Sequence, residues 1–125
     1  MSLTVDVQPA KAGHQRVAVG GSLDTYTFGE FDTALAPVLS SDIKALVLDL
    51  AELTYISSAG IRSIFKCRKA LSGRGGKVLV ANAQPPIRKV FDVVRAVPMT
   101  EIFSSMEEAD AYLDVMQQRA REEQQ

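Results

Sequence analysis

Apolar and polar residues alternate through "LTVDVQ" (3–8), which predicts a strand with one wet face. "PAKAGH" follows with turn residues, and "RVAV" (16–19) predicts a second strand, so the two are expected to form a hairpin that "GGSLD" ends. Phe28, Phe31, Leu35 and Val38 then recur at helical spacing within 25–40. Thr27 and Glu30 fit a capping box at its start, and Pro37 is expected to kink the helix or end its regular part. "ALVLDL" (45–50) is a nearly continuous apolar run, the pattern of a strand buried on both faces. Beyond "TYISS", the residues Ile61, Ile64, Phe65, Arg68 and Leu71 share one helical face, and "SGRGG" (72–76) stops it with Gly73 as the C-terminal cap.

"KVLVAN" (77–82) predicts another buried strand, and Pro85-Pro86 suits a helix entrance. Ile87, Val90, Phe91 and Val94 follow the i, i+3, i+4, i+7 pattern. "PMTEIF" (98–103) is read as a short edge strand. Ser105 and Glu108 form a second capping box before a last helix striped by Ala109, Tyr112, Leu113 and Met116. The order β-β-α-β-α-β-α-(β)-α predicts one α/β domain. Its strands are mostly parallel and joined by right-handed crossovers, with the first strand antiparallel. The domain is expected to span 1–116, and 117–125 to be a polar tail, a helix end that frays.

Composition narrows the function more than the fold. Fourteen Lys and Arg against fifteen Asp and Glu give a net charge of -1, which removes the electrostatic argument for a nucleic-acid or anionic-membrane binder. Cys67 is the one cysteine, so no internal disulfide forms and no Cys/His cluster has metal-ligand spacing. The first sixteen residues lack the apolar core of a signal peptide, and no run approaches the ~18 apolar residues that span a bilayer. A cytoplasmic protein that does not insert in the membrane is expected.

The serine pair at 57–58 stands between a strand-like run ending at Tyr55 or Ile56 and a helix-like run starting near Ser58. At a helix N-terminus the first backbone N–H groups lack partners and the dipole is positive, so a serine oxygen caps them, worth ~1 kcal/mol. A plain N-cap is the commoner meaning of such a pair. A phosphate at the same place is favoured by the same groups, so phosphorylation there is expected to leave the fold intact and act on a partner's surface.

"LVLDLAELTYISSAGIRSIF" (46–65) and "GSLD" (21–24) carry a resemblance to the STAS family, and within it to the stand-alone anti-sigma factor antagonists. That family shows an apolar strand and then a serine pair opening a helix, together with a "GELD" turn after the second strand. The resemblance covers residues 3 to 116 and implies a single STAS-like α/β domain. Its sheet is expected to be mixed, mostly parallel and four- to five-stranded, with about four helices packed on it.

The resemblance further implies a switch protein in a partner-switching circuit that regulates transcription. It binds a GHKL-type serine kinase that is also an anti-sigma factor, is released when the kinase phosphorylates it, and is restored by a PP2C-type phosphatase. The phosphoacceptor falls on Ser58, with Ser57 as the adjacent alternative, and Asp24 falls on the acidic residue near it. The implied partner-binding residues are Asp24, Ser57, Ser58, Ala59, Gly60, Arg62 and Lys66. Two positions depart from the family pattern: Ser57 stands where an Asp is usual, and Ala59 where a Ser or Thr is. Other STAS modules suggest an alternative function, as an accessory subunit of a lipid-transport ABC complex or a stressosome-type scaffold.

Other candidate chemistry is weaker. Arg62, Lys66 and Lys69 form a basic stripe that fits an acidic partner, against the commoner solvated face, and Arg68 is expected to snorkel. "SGRGGK" lacks the phosphate-loop spacing, and "YISSAG" has Ile56 where a nucleophile elbow needs Gly. His14, the one histidine, is predicted in the hairpin turn, far in sequence from Ser58, which argues against a Ser-His hydrolase. Asp6, Asp49 and Asp92 show no paired-carboxylate arrangement, and Asp49 is read as ending its strand or bonding a loop. Cys67 is read as a half-buried small residue. No catalytic constellation, metal site or cofactor is expected, and the chain reads as a binding module, not an enzyme.

Overall fold

The computed structural model describes residues 2–96 and 106–123. Five strands form one sheet: β1 (Leu3–Val7), β2 (His14–Leu23), β3 (Ala45–Asp49), β4 (Leu53–Ile56) and β5 (Lys77–Ala81). Four helices connect and cover it: α1 (Phe28–Ser40), α2 (Ser58–Ser72), α3 (Pro85–Ala96) and α4 (Met106–Glu122). β1 pairs antiparallel with β2, β2 parallel with β3, and β3 parallel with β5. The α/β class, the antiparallel first strand and the parallel remainder are as expected.

β2 departs from the sequence reading in a way that builds the site. It does not end at "GGSLD" but runs on through Leu23. Its first half, His14 to Ala18, pairs with β3, and its last residues, Gly21 to Leu23, pair with β4 on a shifted register. β3 and β4 are therefore successive neighbours of one long strand, separated by a tight turn in which Leu53 N–H donates to Leu50 O. The glycines are strand residues that permit this. Gly21 has φ +84°, and a Cβ on it would lie 2.2 Å from Ser2 O, so β1 closes here only over glycine. β4, too short for its alternation to stand out, is absent from the expected element order.

The core is Val17, Val19 and Leu23 of β2, Leu46 and Leu48 of β3, Leu53 and Ile56 of β4, and the buried faces of the helices. α1 contributes Phe31, Leu35 and Val38, while Phe28 is exposed. The capping box predicted there does not form: Thr27 precedes the helix, but its hydroxyl donates to Ser22 O at 2.8 Å. Pro37 lies within the helix, which continues to Ser40. On α2 the buried face is Gly60, Ile61, Ser63, Ile64, Cys67 and Leu71, shifted from the predicted one, so that Phe65 and Arg68 face solvent. Cys67 is buried outright, and burial pushes its thiol up to about 11. Gly73 caps α2, as expected. α3 buries Ile87, Val90 and Val94.

α4 differs most from expectation. It passes position 117 without a break, and Gln117 and Ala120 are buried where a fraying polar tail is predicted. Tyr112, placed on its apolar stripe, is exposed. The edge strand at 98–103 and the capping residue Ser105 lie outside the described residues.

Asp49 ends β3, as read from sequence. Its carboxylate accepts from Ala51 N–H at 3.1 Å and Asn82 Nδ2 at 3.2 Å, and pairs with Arg16. These donors, the Ala51 N–H first, hold its pKa below the ordinary 3.8. The stabilisation is complete above pH 3.8 and is lost as pH falls through the lowered folded value. Asp49→Asn should therefore be less stable than wild type at neutral pH, with the gap closing in more acid solution. Urea unfolding across that range checks it, and a gap that widens in acid would contradict it.

Candidate functional site

Ser57 and Ser58 meet three elements at the N-terminus of α2. Ser57 is the N-cap: its backbone is extended, and its Oγ accepts from Gly60 N–H at 3.4 Å. Its own N–H donates to Leu23 O at 2.9 Å, which ties the helix start to the end of β2. Ser58 is the first helical residue and makes different bonds. Its hydroxyl donates to Asp110 Oδ1 at 2.6 Å, and its backbone N–H donates to the same oxygen at 2.8 Å. The capping role expected of the pair falls to Ser57, which leaves the Ser58 hydroxyl for Asp110.

Asp110 lies on α4, and that helix seals the site with a row of polar contacts. Gln117 Oε1 accepts from Ile56 N–H at 3.1 Å, and its Nε2 donates to Ile56 O at 2.8 Å, as a neighbouring strand would. Tyr55 OH donates to Asp114, and Arg121 donates to Thr54 O at 3.0 Å. Desolvation raises the Tyr55 pKa, and Asp114, Asp110 and Asp24 raise it further, so the phenol stays protonated. Three carboxylates thus act on this end of the sheet. Ser58 is 0% and Ser57 3% exposed.

Asp24 is turned into its own loop. Its Oδ1 accepts from Tyr26 N–H at 2.9 Å and Thr27 N–H at 3.1 Å, an Asx turn that ends β2 beside the helix start. Ala59 is half-buried, and Arg62 is exposed one turn along α2. Lys66 is exposed and pairs with Asp32 of α1 at 2.9 Å, and Lys69 is also exposed. The structure thus gathers Asp24, Ser57, Ser58, Ala59, Gly60 and Arg62 at one end of α2, with Lys66 a turn further away. His14 sits at the opposite end of β2.

The residues that sequence reading missed are Tyr55, Asp110, Asp114 and Gln117. A signal existed: Asp110, Asp114 and Gln117 recur at i, i+4 and i+7, so polar residues share a helical face beside Leu113 and Ala120. A polar row running beside a buried apolar row marks side chains with fixed partners.

Comparison with known proteins places this arrangement in a family. The bacterial protein BtrV of Bordetella bronchiseptica, provisionally named an anti-sigma factor antagonist, is 29% identical over 91 residues, covering 73% of this chain and 78% of that one. The anti-sigma-B factor antagonist of Staphylococcus epidermidis is 29% identical over 77 residues, 62% of this chain and 71% of that one. Among solved structures, the anti-sigma factor antagonist SpoIIAA in its unphosphorylated form superposes with a TM-score of 0.61 at 16% identity, covering 71% of this chain and 82% of that one. The phosphorylated form of SpoIIAA, a Bacillus cell fate determinant, superposes with the same score.

Gly60 offers a direct check on the geometry. A Cβ there would lie 2.6 Å from Leu23 O, 2.8 Å from Leu23 Cγ and 2.9 Å from Ile56 Cγ1. Backbone cannot yield at that point without parting α2 from β2. Gly60→Ala should therefore destabilise by about 1–3 kcal/mol or more, despite the better helix propensity of alanine. Denaturant unfolding reads this, and a neutral or stabilising result would refute the close approach.

The family model for the STAS domain matches residues 8–109, which takes in β2 to β5, the serine-started helix and the beginning of α4; the chain belongs to the STAS domain family.

Proposed function

We propose that the protein is an anti-sigma factor antagonist of a partner-switching circuit, a binding module and not an enzyme. In this reading it engages a GHKL-type serine kinase that doubles as an anti-sigma factor. The kinase releases it on phosphorylating Ser58, and a PP2C-type phosphatase resets it. The observation that carries the reading is the position of Ser58 at the first residue of α2, with its hydroxyl pointed away from the capping role that Ser57 fills. The names of the relatives support the same role. Among the described residues no helix is long and apolar enough to cross a membrane, and no group of His, Cys, Asp and Glu is set to hold a metal ion.

The chemistry is a phosphoryl transfer. Ser58 Oγ attacks the γ-phosphorus of ATP, an Oγ–P bond forms, the bond to ADP breaks, and the hydroxyl proton passes to a base of the kinase. The product carries a charge of about −1.5 to −2 where the unmodified chain has a neutral hydroxyl. A partner covering this end of α2 loses a complementary surface and meets an uncompensated charge. Arg62, exposed one turn along α2, extends the partner-facing surface. Lys66 lies at its margin, in an exposed ion pair that contributes little to stability.

Incubation with the host's serine kinase and ATP is expected to add one phosphate, at Ser58, and phosphopeptide mapping reads the position. Modification at Ser57 alone, or none with a kinase that binds the chain, would overturn the assignment.

A further inference from the structure

We infer that α4 is a gate over Ser58: a partner reaches the serine only when the helix lifts, and a phosphate on Ser58 keeps it lifted. The inference rests on the phosphorylation reading for its second clause only. The first follows from burial. Ser58 has no exposed surface, and both its hydroxyl and its N–H are spent on one oxygen of Asp110. In-line phosphoryl transfer needs that hydroxyl free and an open approach to it, and the closed arrangement provides neither.

The composition of the seal says why α4 is the part that moves. Among the described residues of α4, Leu113 is the one large apolar side chain with no exposed surface. Gln117, equally covered, is held by hydrogen bonds, Met116 packs only partly on the core, and Ala109 and Ala120 are small. α2, by contrast, buries Ile61, Ile64, Cys67 and Leu71. Against β4 and the start of α2, the holding contacts of α4 are Arg121 to Thr54, Asp114 to Tyr55, Gln117 to Ile56 and Asp110 to Ser58. Such bonds exchange for water at small net cost when the helix leaves, whereas apolar area does not. Elements held by few buried apolar groups open first.

Charge makes the gate one-way. The Asp110 carboxylate sits where the α2 N-terminus would hold an anion, bonded to the Ser58 N–H. A phosphate on Ser58 Oγ would share that space with a carboxylate now 2.6 Å from the oxygen it is attached to. Two like charges crowded into that partly buried site repel, so phosphate and Asp110 are alternative occupants. The dipole argument from sequence is correct that the position suits an anion. What the sequence does not show is that the chain supplies one of its own.

The test needs no kinase for the first clause. In the full chain carrying Ser58→Cys and Cys67→Ala, the single thiol at position 58 should react with a maleimide at least about tenfold more slowly than in the same chain with Asp110→Ala and Gln117→Ala added. Equal rates would overturn the gate. If the cysteine variant fails to fold, hydrogen exchange of the unaltered chain decides. The Ile56 and Ser58 amides should exchange in step with α4 and ahead of Leu46 and Leu48. Exchange of all of them together would overturn it. In Ser58→Asp, faster exchange of α4 alone supports the one-way clause, and unchanged exchange overturns it. A chain that passes the labelling test yet stays unmodified by its bound kinase, even with α4 loosened, keeps the gate and defeats the phosphorylation reading.

Discussion

The first turn of α2 rests on the carbonyl of Leu23, and most of the functional end of the molecule depends on that contact. Ser57 N–H bonds to this oxygen, and Gly60 passes so close to it that no side chain fits between. The contact fixes where α2 begins. It also fixes where β2 must end, and so where Asp24 turns away. Because the helix start is held from below by β2, the Ser58 N–H faces α4, where Asp110 accepts it. The site is thus a consequence of packing between a strand end and a helix start, made possible by one glycine.

The same packing explains why two adjacent serines differ. Ser57 holds the extended backbone of an N-cap and serves the fold. Ser58, one residue on, has helical geometry, and its side chain projects toward α4. On the proposed reading, a position that does not cap the helix is the one whose charge changes while the domain stays folded. In the closed molecule the cost of added charge falls on the α4 contacts, which are polar and of modest net strength.

Much of this was legible from the sequence. The apolar run at 45–50 gave the buried central strand β3, and the Ile87, Val90, Val94 spacing gave α3, because continuous burial and strict helical spacing leave few alternatives. The run at 77–82 is a strand too, but β5 lies at the sheet edge with Leu79 and Val80 exposed, not buried as its apolar run predicts. The serine-started helix was equally plain. Three features were hidden. β2 crosses two glycines that mark turns in most contexts, and here allow a change of strand partner. Thr27 looks like one half of a capping box, but Ser22 and Asp24 claim its hydroxyl. Gln117 looks like the start of a solvated tail, yet the backbone of Ile56, 61 residues earlier, bonds both ends of its amide, and Leu113 O accepts a further bond from Nε2. The first and third depend on partners distant in the chain, and the second on the turn that closes β2.

The central claim is that the end of α2 is a surface whose binding is switched by charge at Ser58. Its most direct test compares the affinity of the unmodified chain and the chain phosphorylated at Ser58 for the same serine kinase recovered from the host, at one ionic strength, by calorimetry or surface-bound kinetics. The account predicts that phosphorylation weakens binding by at least about tenfold, or ~1.4 kcal/mol. Equal or tighter binding of the phosphorylated chain would contradict it.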